Sequence, residues 1–400
     1  MGDQSGMKNN TIIGLVLSSV PGYTETFFRN KIKGLQESGY TVILFVDYFR
    51  HEEDPFICKV VHTGNFNGFS IKFLIKVFVA IIKTVFIHPK KSIAYFSLDK
   101  ADGLSYKRCI KNVLLNEPFF NHQLDWLHFG YGMLAYNREN IPNAIGAKMG
   151  VSFRGFDLYL SPIKHEHCYD RLFKKDIFYH VLSNKMKDLL VAHSISSEAI
   201  SVIPPAIDVQ LFERHETGLT DACIKILTVA RLHWIKGLEY VLEAMSILKE
   251  QGVNFHYTIV GDGEDLERLV FAANQLNITD NVTFTGRLNQ SEIKDLMLSS
   301  NIYVQYSIQE GFCNSVLEAQ AMGLLCVVSD ADGLIENVSD THTGWVVPKR
   351  NPVALSTMIK TIINLPSGQQ QQVKLQAVER VKKQFNLELQ QKSFNAFYSQ

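Results

Sequence analysis

The sequence predicts an α/β fold of two Rossmann-like, doubly wound domains, and three observations predict it. Strand-like and helix-like segments alternate from end to end, the pattern of parallel sheets covered on both faces. The chain has 400 residues, 46% of them apolar and 20% charged, which suits two or three ordinary globular domains. Near the middle, Val202-Ile-Pro204-Pro205-Ala-Ile-Asp208 pairs two prolines. These cannot donate ladder hydrogen bonds and they stiffen a crossing, so the boundary is expected at 205/206.

In the first half, Thr11–Leu17 reads as a buried strand. Pro21-Gly22-Tyr-Thr-Glu25-Thr26 follows, then Phe28, Ile32 and Leu35 on one helix face, with Gly39 ending the helix. Asp125-Trp-Leu-His128-Phe-Gly130 sets His128 at a strand end, and Lys148-Met-Gly-Val-Ser-Phe-Arg154 sets Arg154 likewise. Strand carboxyl ends line the ligand crevice of open α/β sheets, so both are candidate site residues. A lone histidine there is also commonly a satisfied structural residue. Phe73–Ile87 is too short and too charged to span a bilayer. Lys72, Lys76, Lys83 and Lys90 would lie along one side of a helix. A core helix with a solvated lysine stripe is the preferred reading, and contact with an anionic membrane surface the secondary one.

In the second half, the strand Lys225–Ala230 leads to Arg231-Leu-His-Trp-Ile-Lys236-Gly237, and Leu238, Val241, Leu242, Met245 and Leu248 then recur at helical spacing. Two cations at a helix amino end oppose the helix dipole by about 0.3–1 kcal/mol each, which a bound anion such as a diphosphate would offset. Solvated loop charges are the plainer alternative. Asn301–Tyr306 reads as a strand, and Glu310-Gly-Phe-Cys-Asn-Ser-Val-Leu-Glu318 turns from it into a helix stopped by Gly323. The helix is expected to be capped by Asn314 or Ser315, with Glu318 in its first turn and the first amides free for phosphate or hydroxyl groups. Two carboxylates flanking such amides suit a ligand with an anionic middle and hydroxyls at both ends. An acidic helix start plus an unrelated surface glutamate explains the motif as well. The polar Gly368–Gln372 reads as an exposed loop.

Four ordered motifs resemble those of the retaining GT-B glycosyltransferases of glycosyltransferase family 4: Val-Ala-Arg231-Leu…Lys236-Gly237, Ile259-Val-Gly261-Asp-Gly263, Val282-Thr-Phe-Thr-Gly286-Arg287-Leu, and Glu310-Gly-Phe…Glu318. The Pro-Gly22 loop and the sequence after it resemble the exopolysaccharide members, such as colanic acid and amylovoran enzymes. The resemblance implies two domains facing a central cleft: 1–205 on the acceptor side, 206–384 binding a nucleotide sugar, and a helix in 385–400 returning to the first. It further implies that Arg231 and Lys236 neutralise the donor diphosphate, Glu318 binds ribose hydroxyls, and Glu310 contacts the transferred sugar. By the same resemblance, amides near Gly311, Phe312, Cys313 and Asn314 hold sugar hydroxyls, the Gly22 loop approaches the donor phosphates, Gly286 and Arg287 border the base, and Gly261 and Ser315 belong to the donor-binding set. Relatives carry a histidine where Arg154 stands, so Arg154 and His128 join Glu310 as the catalytic candidates. The implied reaction moves a sugar from a UDP- or GDP-linked donor to a glycan or lipid-linked saccharide, with retention and without a metal or cofactor.

Composition fits this. Forty Lys and Arg balance forty Asp and Glu, which speaks against nucleic acid as the partner. The six cysteines form no Cys-x-x-Cys pair, so reduced thiols in the cytoplasm, or at the cytoplasmic face of a membrane, are expected. Met1–Asn10 is polar and does not read as a signal peptide. His165-Glu-His167-Cys168 lacks a second ligand group and reads as a polar helix start. A non-catalytic sugar-nucleotide-binding scaffold and a sugar-nucleotide epimerase are the competing functions.

Overall fold

The computed structural model describes residues 11–22, 26–48, 57–63, 71–212 and 223–400, with the backbone alone for 71–74 and 76. The chain divides into two compact units, one of Met1–Ile203 with Gln391–Gln400 and the other of Pro204–Gln390.

Among the described residues the first unit holds seven parallel strands: β1 (Ile12–Leu17), β2 (Thr41–Val46), β3 (Lys59–His62), β4 (Trp126–Phe129), β5 (Lys148–Phe153), β6 (Phe178–Val181) and β7 (Ile200–Val202). Their order is β3-β2-β1-β4-β5-β6-β7. The chain leaves β1 for β2 on one side and later crosses to β4 on the other, so the strand order reverses at β1. Ile13, Leu15, Val16, Phe45, Leu127, Phe129 and Val151 are fully buried, as a parallel sheet covered on both faces requires. Helix Thr26–Glu37 follows β1 and buries Phe28, Ile32 and Leu35, and Gly39 behind it takes a φ of 89°. The closing helix Leu387–Tyr398 packs Phe397 and Tyr398 on Trp126, with ring centroids 5.6 and 5.3 Å away. Each such buried aromatic contributes on the order of 1.5–3 kcal/mol.

The second unit holds β8 (Ile224–Val229), β9 (Phe255–Val260), β10 (Val282–Gly286), β11 (Ile302–Gln305), β12 (Leu325–Ser329) and β13 (Trp345–Val347) in the order β10-β9-β8-β11-β12-β13. All pairs are parallel. Helix Leu238–Glu250 buries the five apolar residues read from its spacing.

Three local expectations are corrected. Gly368–Gln372 is not a loop but the opening turn of helix Ser367–Gln384, because Pro366 sets the entry and glutamines are good helix formers. His165–Cys168 follows helix Ser161–Lys164 rather than starting one. His167 there has a φ of 62° and pairs with Asp170 at 2.9 Å. The Phe73–Ile87 stretch does form helix Ile71–Ile82 and a π-helical turn Lys83–Ile87, yet it is not a core element. Phe78, Phe86 and Ile87 are 63%, 77% and 58% exposed, whereas Ala80 and Thr84 are buried. A helix apolar all round can turn only one side to its neighbours. Lys83 leaves the anticipated stripe to pair with Glu117 at 3.3 Å, Lys90 is exposed, and the side chains of Lys72 and Lys76 lie outside the described residues. Among the described residues no helix is long and apolar enough to cross a membrane.

Candidate active site

In the second unit, three loops at the carboxyl edge of the sheet are locked together by contacts that leave no room for side chains. The loop after β8 carries Arg231, a short 3-10 turn Trp234–Lys236 and Gly237 in a left-handed conformation. Ile308 N donates to Ile235 O at 2.7 Å, and a Cβ on Gly237 would stand 2.3 Å from Tyr306 O. The loop after β9 approaches from the other side. Cβ atoms on Gly261 and Gly263 would lie 1.9 Å from Ala230 O and 2.1 Å from Leu232 O. These glycines thus fix where the β8 loop runs, and so where Lys236 points.

Lys236 Nζ meets Glu310 Oε2 at 2.5 Å, the two side chains being 15% and 14% exposed. Burial pulls the Lys236 pKa down, but the Glu310 carboxylate more than offsets it and the net displacement is upward. Lys236 is therefore a fixed cation at neutral pH. The same Glu310 oxygen also accepts from Ser307 Oγ at 3.0 Å. Ser307 accepts from Gln305 Nε2 at 3.0 Å, and Gln305 Oε1 accepts from Tyr303 OH at 3.1 Å. These three residues were missed from sequence. Their signal was a polar residue at every second position, 303, 305 and 307, in an otherwise apolar strand, which puts all three on one face.

The helix Asn314–Ala321 starts one residue earlier than expected, with Cys313 at the N-cap and no side chain capping it. The cap is supplied from outside: Asn337 Oδ1 accepts from Cys313 N, and its Nδ2 donates to Cys313 O, both at 2.9 Å. The Cys313 amide is thereby occupied, which corrects its expected availability to a ligand. The N–H groups of Gly311 and Phe312 have no acceptor among the described residues. Ser315 is no cap either. Its Oγ donates to Val229 O at 3.2 Å and lies 2.7 Å from Tyr303 OH, tying the helix start to the end of β8. Burial, and then the Glu310 charge, push the Cys313 thiol up to about 11, so it is not a thiolate nucleophile at neutral pH.

Glu318 falls in the second turn, not the first, and no hydrogen-bond donor meets its carboxylate among the described residues. Burial raises its pKa to about 7. Arg231 is exposed and also lacks a side-chain partner among the described residues, while its charge bears on Lys236. The structure thus brings Lys236, Glu310, Cys313 and Ser315 together and leaves Arg231, Asn314 and Glu318 with unused polar groups beside them. Gly286 accepts from Gly261 N at 2.9 Å, and the exposed Arg287 pairs with Asp262 at 3.3 Å.

The first-unit candidates are placed differently. Gly22 O accepts from Arg29 Nε at 3.3 Å, and Tyr23–Glu25 of that motif lie outside the described residues. His128 is fully buried. Its Nδ1 contacts Tyr398 OH at 2.8 Å, and its Nε2 contacts Ser152 Oγ at 2.7 Å and Lys31 Nζ at 3.4 Å. Ser152 continues to His180 Nδ1 at 2.7 Å. Burial, then the Lys31 charge, hold His128 well below the ordinary histidine range, so it is a neutral core group. Arg154 follows β5 with its guanidinium 3.8 Å from the Phe27 ring centroid and 4.8 Å from that of Phe28, while its backbone N–H donates to Asp157 Oδ1 at 2.8 Å.

Two parallel doubly wound sheets with this loop constellation define the GT-B class of glycosyltransferase fold. Residues 210–380 match the family model described as glycosyl transferases group 1. The amylovoran biosynthesis glycosyltransferase AmsK of Erwinia amylovora is 30% identical over 284 residues, covering 68% of this chain and 69% of AmsK. An N,N'-diacetylbacillosaminyl-diphospho-undecaprenol alpha-1,3-N-acetylgalactosaminyltransferase of Campylobacter jejuni is 33% identical over 138 residues, 34% of this chain and 35% of that protein. Among solved structures, Anabaena HepE in complex with UDP and glucose aligns over 98% of this chain and 100% of its own with a TM-score of 0.71, at 14% identity. The chain belongs to the group 1 glycosyltransferases and is a glycosyltransferase.

Proposed function

We propose that this protein transfers a sugar, with retention, from a nucleotide-sugar donor to a glycan or lipid-linked saccharide in cell-surface polysaccharide assembly. The Lys236–Glu310 pair at the sheet edge carries the reading. Its cation is half-buried, held charged and flanked by the exposed Arg231, which is what a departing diphosphate needs. Glu310, fixed by Lys236 and Ser307, orients that cation and meets the sugar. The Glu318 carboxylate, which no donor meets among the described residues, takes the ribose hydroxyls, and the Gly311 and Phe312 amides take sugar hydroxyls. Glu310, already engaged by Lys236 and Ser307, stabilises charge rather than bonding covalently, and the acceptor hydroxyl attacks from the leaving-group side and passes its proton to the diphosphate. The polysaccharide role follows AmsK by name, and a lipid diphosphate acceptor follows the Campylobacter protein by name.

The exposed Phe78, Phe86 and Ile87, with Tyr106 and Ile110 exposed on a neighbouring helix and Lys90 and Lys107 among them, suit contact with an anionic bilayer. Co-sedimentation with phosphatidylglycerol vesicles, lost in a Phe78→Ser/Phe86→Ser variant, tests that contact. Incubation with UDP- and GDP-sugars, with and without extracted lipid-linked glycans, tests the reaction. Acceptor-dependent nucleotide release is expected; isomerised donor would instead mean an epimerase, and binding without turnover a scaffold.

A further inference from the structure

A polar pocket lies wholly within the first unit, about 230 Å³ in volume, with Asp47, Arg108, Lys111, Met133 and Arg138 among its lining. Asp47 directly follows β2, and Met133 to Arg138 follow β4. The pocket therefore sits at the carboxyl edge of the seven-stranded sheet, astride β1, where the strand order reverses. Doubly wound sheets open their ligand crevice at that point.

Its charges are unbalanced. Arg138 is consumed by Asp47, donating from Nη2 to Oδ1 at 2.6 Å and from Nη1 to Oδ2 at 3.2 Å. Thr63 also donates to Asp47 Oδ1. Arg108 and Lys111 stand one turn apart on helix Tyr106–Leu115, with no side-chain partner among the described residues. Like charges at this spacing disfavour the helix, and an anion between them would reverse that. Three lining cations against one carboxylate leave a surplus of two positive charges. The volume falls below the roughly 300–1,000 Å³ that encloses a whole drug-sized ligand, so the pocket suits a small charged group and not an entire oligosaccharide.

We infer that this pocket binds a phosphate or diphosphate group, with Arg108 and Lys111 as its ligands, and that in the reaction proposed above it holds the phosphorylated end of the acceptor. The inference rests on that reading for the ligand's identity but not for the anion site. The probe is inorganic pyrophosphate, titrated calorimetrically into the full chain already saturated with UDP. Wild-type protein takes up pyrophosphate in addition to UDP, and Arg108→Ser/Lys111→Ser weakens that uptake at least tenfold while UDP affinity is unchanged. No uptake by the wild type, or equal uptake by the double variant, overturns the site. A double variant that loses phosphatidylglycerol vesicles but keeps pyrophosphate also overturns it, by assigning the cations to a membrane surface. Failure of UDP itself to bind counts against the donor site alone, since comparison of the two proteins with pyrophosphate still reads the pocket.

Discussion

In the proposed donor site, Glu318 would make ligand binding depend on pH in a calculable way. Its carboxyl is raised from 4.5 to about 7 by burial, and no hydrogen-bond donor meets it among the described residues. Hydroxyl donors stabilise the ionised form, so a ribose that binds Glu318 must find or make the carboxylate. With a pKa near 7, roughly nine-tenths of the protein is protonated there at pH 6 and about one-tenth at pH 8. UDP affinity should therefore rise about tenfold between those pH values from this group alone, and binding at pH 6 should release close to one proton. Isothermal titration in two buffers of different ionisation enthalpy measures both quantities. Glu318→Gln is the control, because it removes the titration and leaves that of UDP itself. The same residue costs stability. The folded state holds this proton more tightly than the unfolded chain between about 4.5 and 7, so stability falls as pH rises through that window. The full cost of about 3 kcal/mol is reached above it. Glu318→Gln should then stabilise the ligand-free protein by up to about 3 kcal/mol at pH 8 and by only about 1 kcal/mol at pH 5. An identical pH slope for UDP binding in wild type and Glu318→Gln would refute the assignment of Glu318 to the nucleoside.

Lys236→Ala strips Glu310 of its cation and should lower kcat/KM for the donor at least about hundredfold, the scale of removing one electrostatic stabiliser; steady-state kinetics that match wild type would count against a diphosphate role. Gly263→Ala places a methyl group 2.1 Å from Leu232 O and should cost at least about 2 kcal/mol in urea denaturation. Gly286→Ala meets nothing within 4 Å and should cost only about 1 kcal/mol, from its φ of 72°. His128→Ala opens a cavity in a hydrogen-bonded core and should destabilise the protein by about 2–4 kcal/mol. Its KM for the donor should stay unchanged, and a selective loss of kcat without loss of stability would return His128 to the reaction.

The sequence by itself determined the α/β class, the strand and helix on either side of the Arg231–Gly237 and Glu310–Glu318 motifs, and the residue types there. Those follow from local periodicity and from glycine and charge placement at turns: Gly237, Gly261 and Gly263 are legible as turn residues before any coordinate is known. Partnership was not legible, because it is made across long sequence separations. Nothing near residue 313 announces that Asn337 caps its helix, and nothing near residue 310 announces that Lys236 rather than solvent will meet Glu310. His128 shows the same limit. Its position near a strand end is local information, but its burial is decided by Lys31, Ser152 and Tyr398 arriving from three other elements. The apolar run at Phe73–Ile87 erred in the opposite direction, since hydrophobicity states what a segment would bury, whereas only the neighbours that the fold supplies decide how much of it is covered.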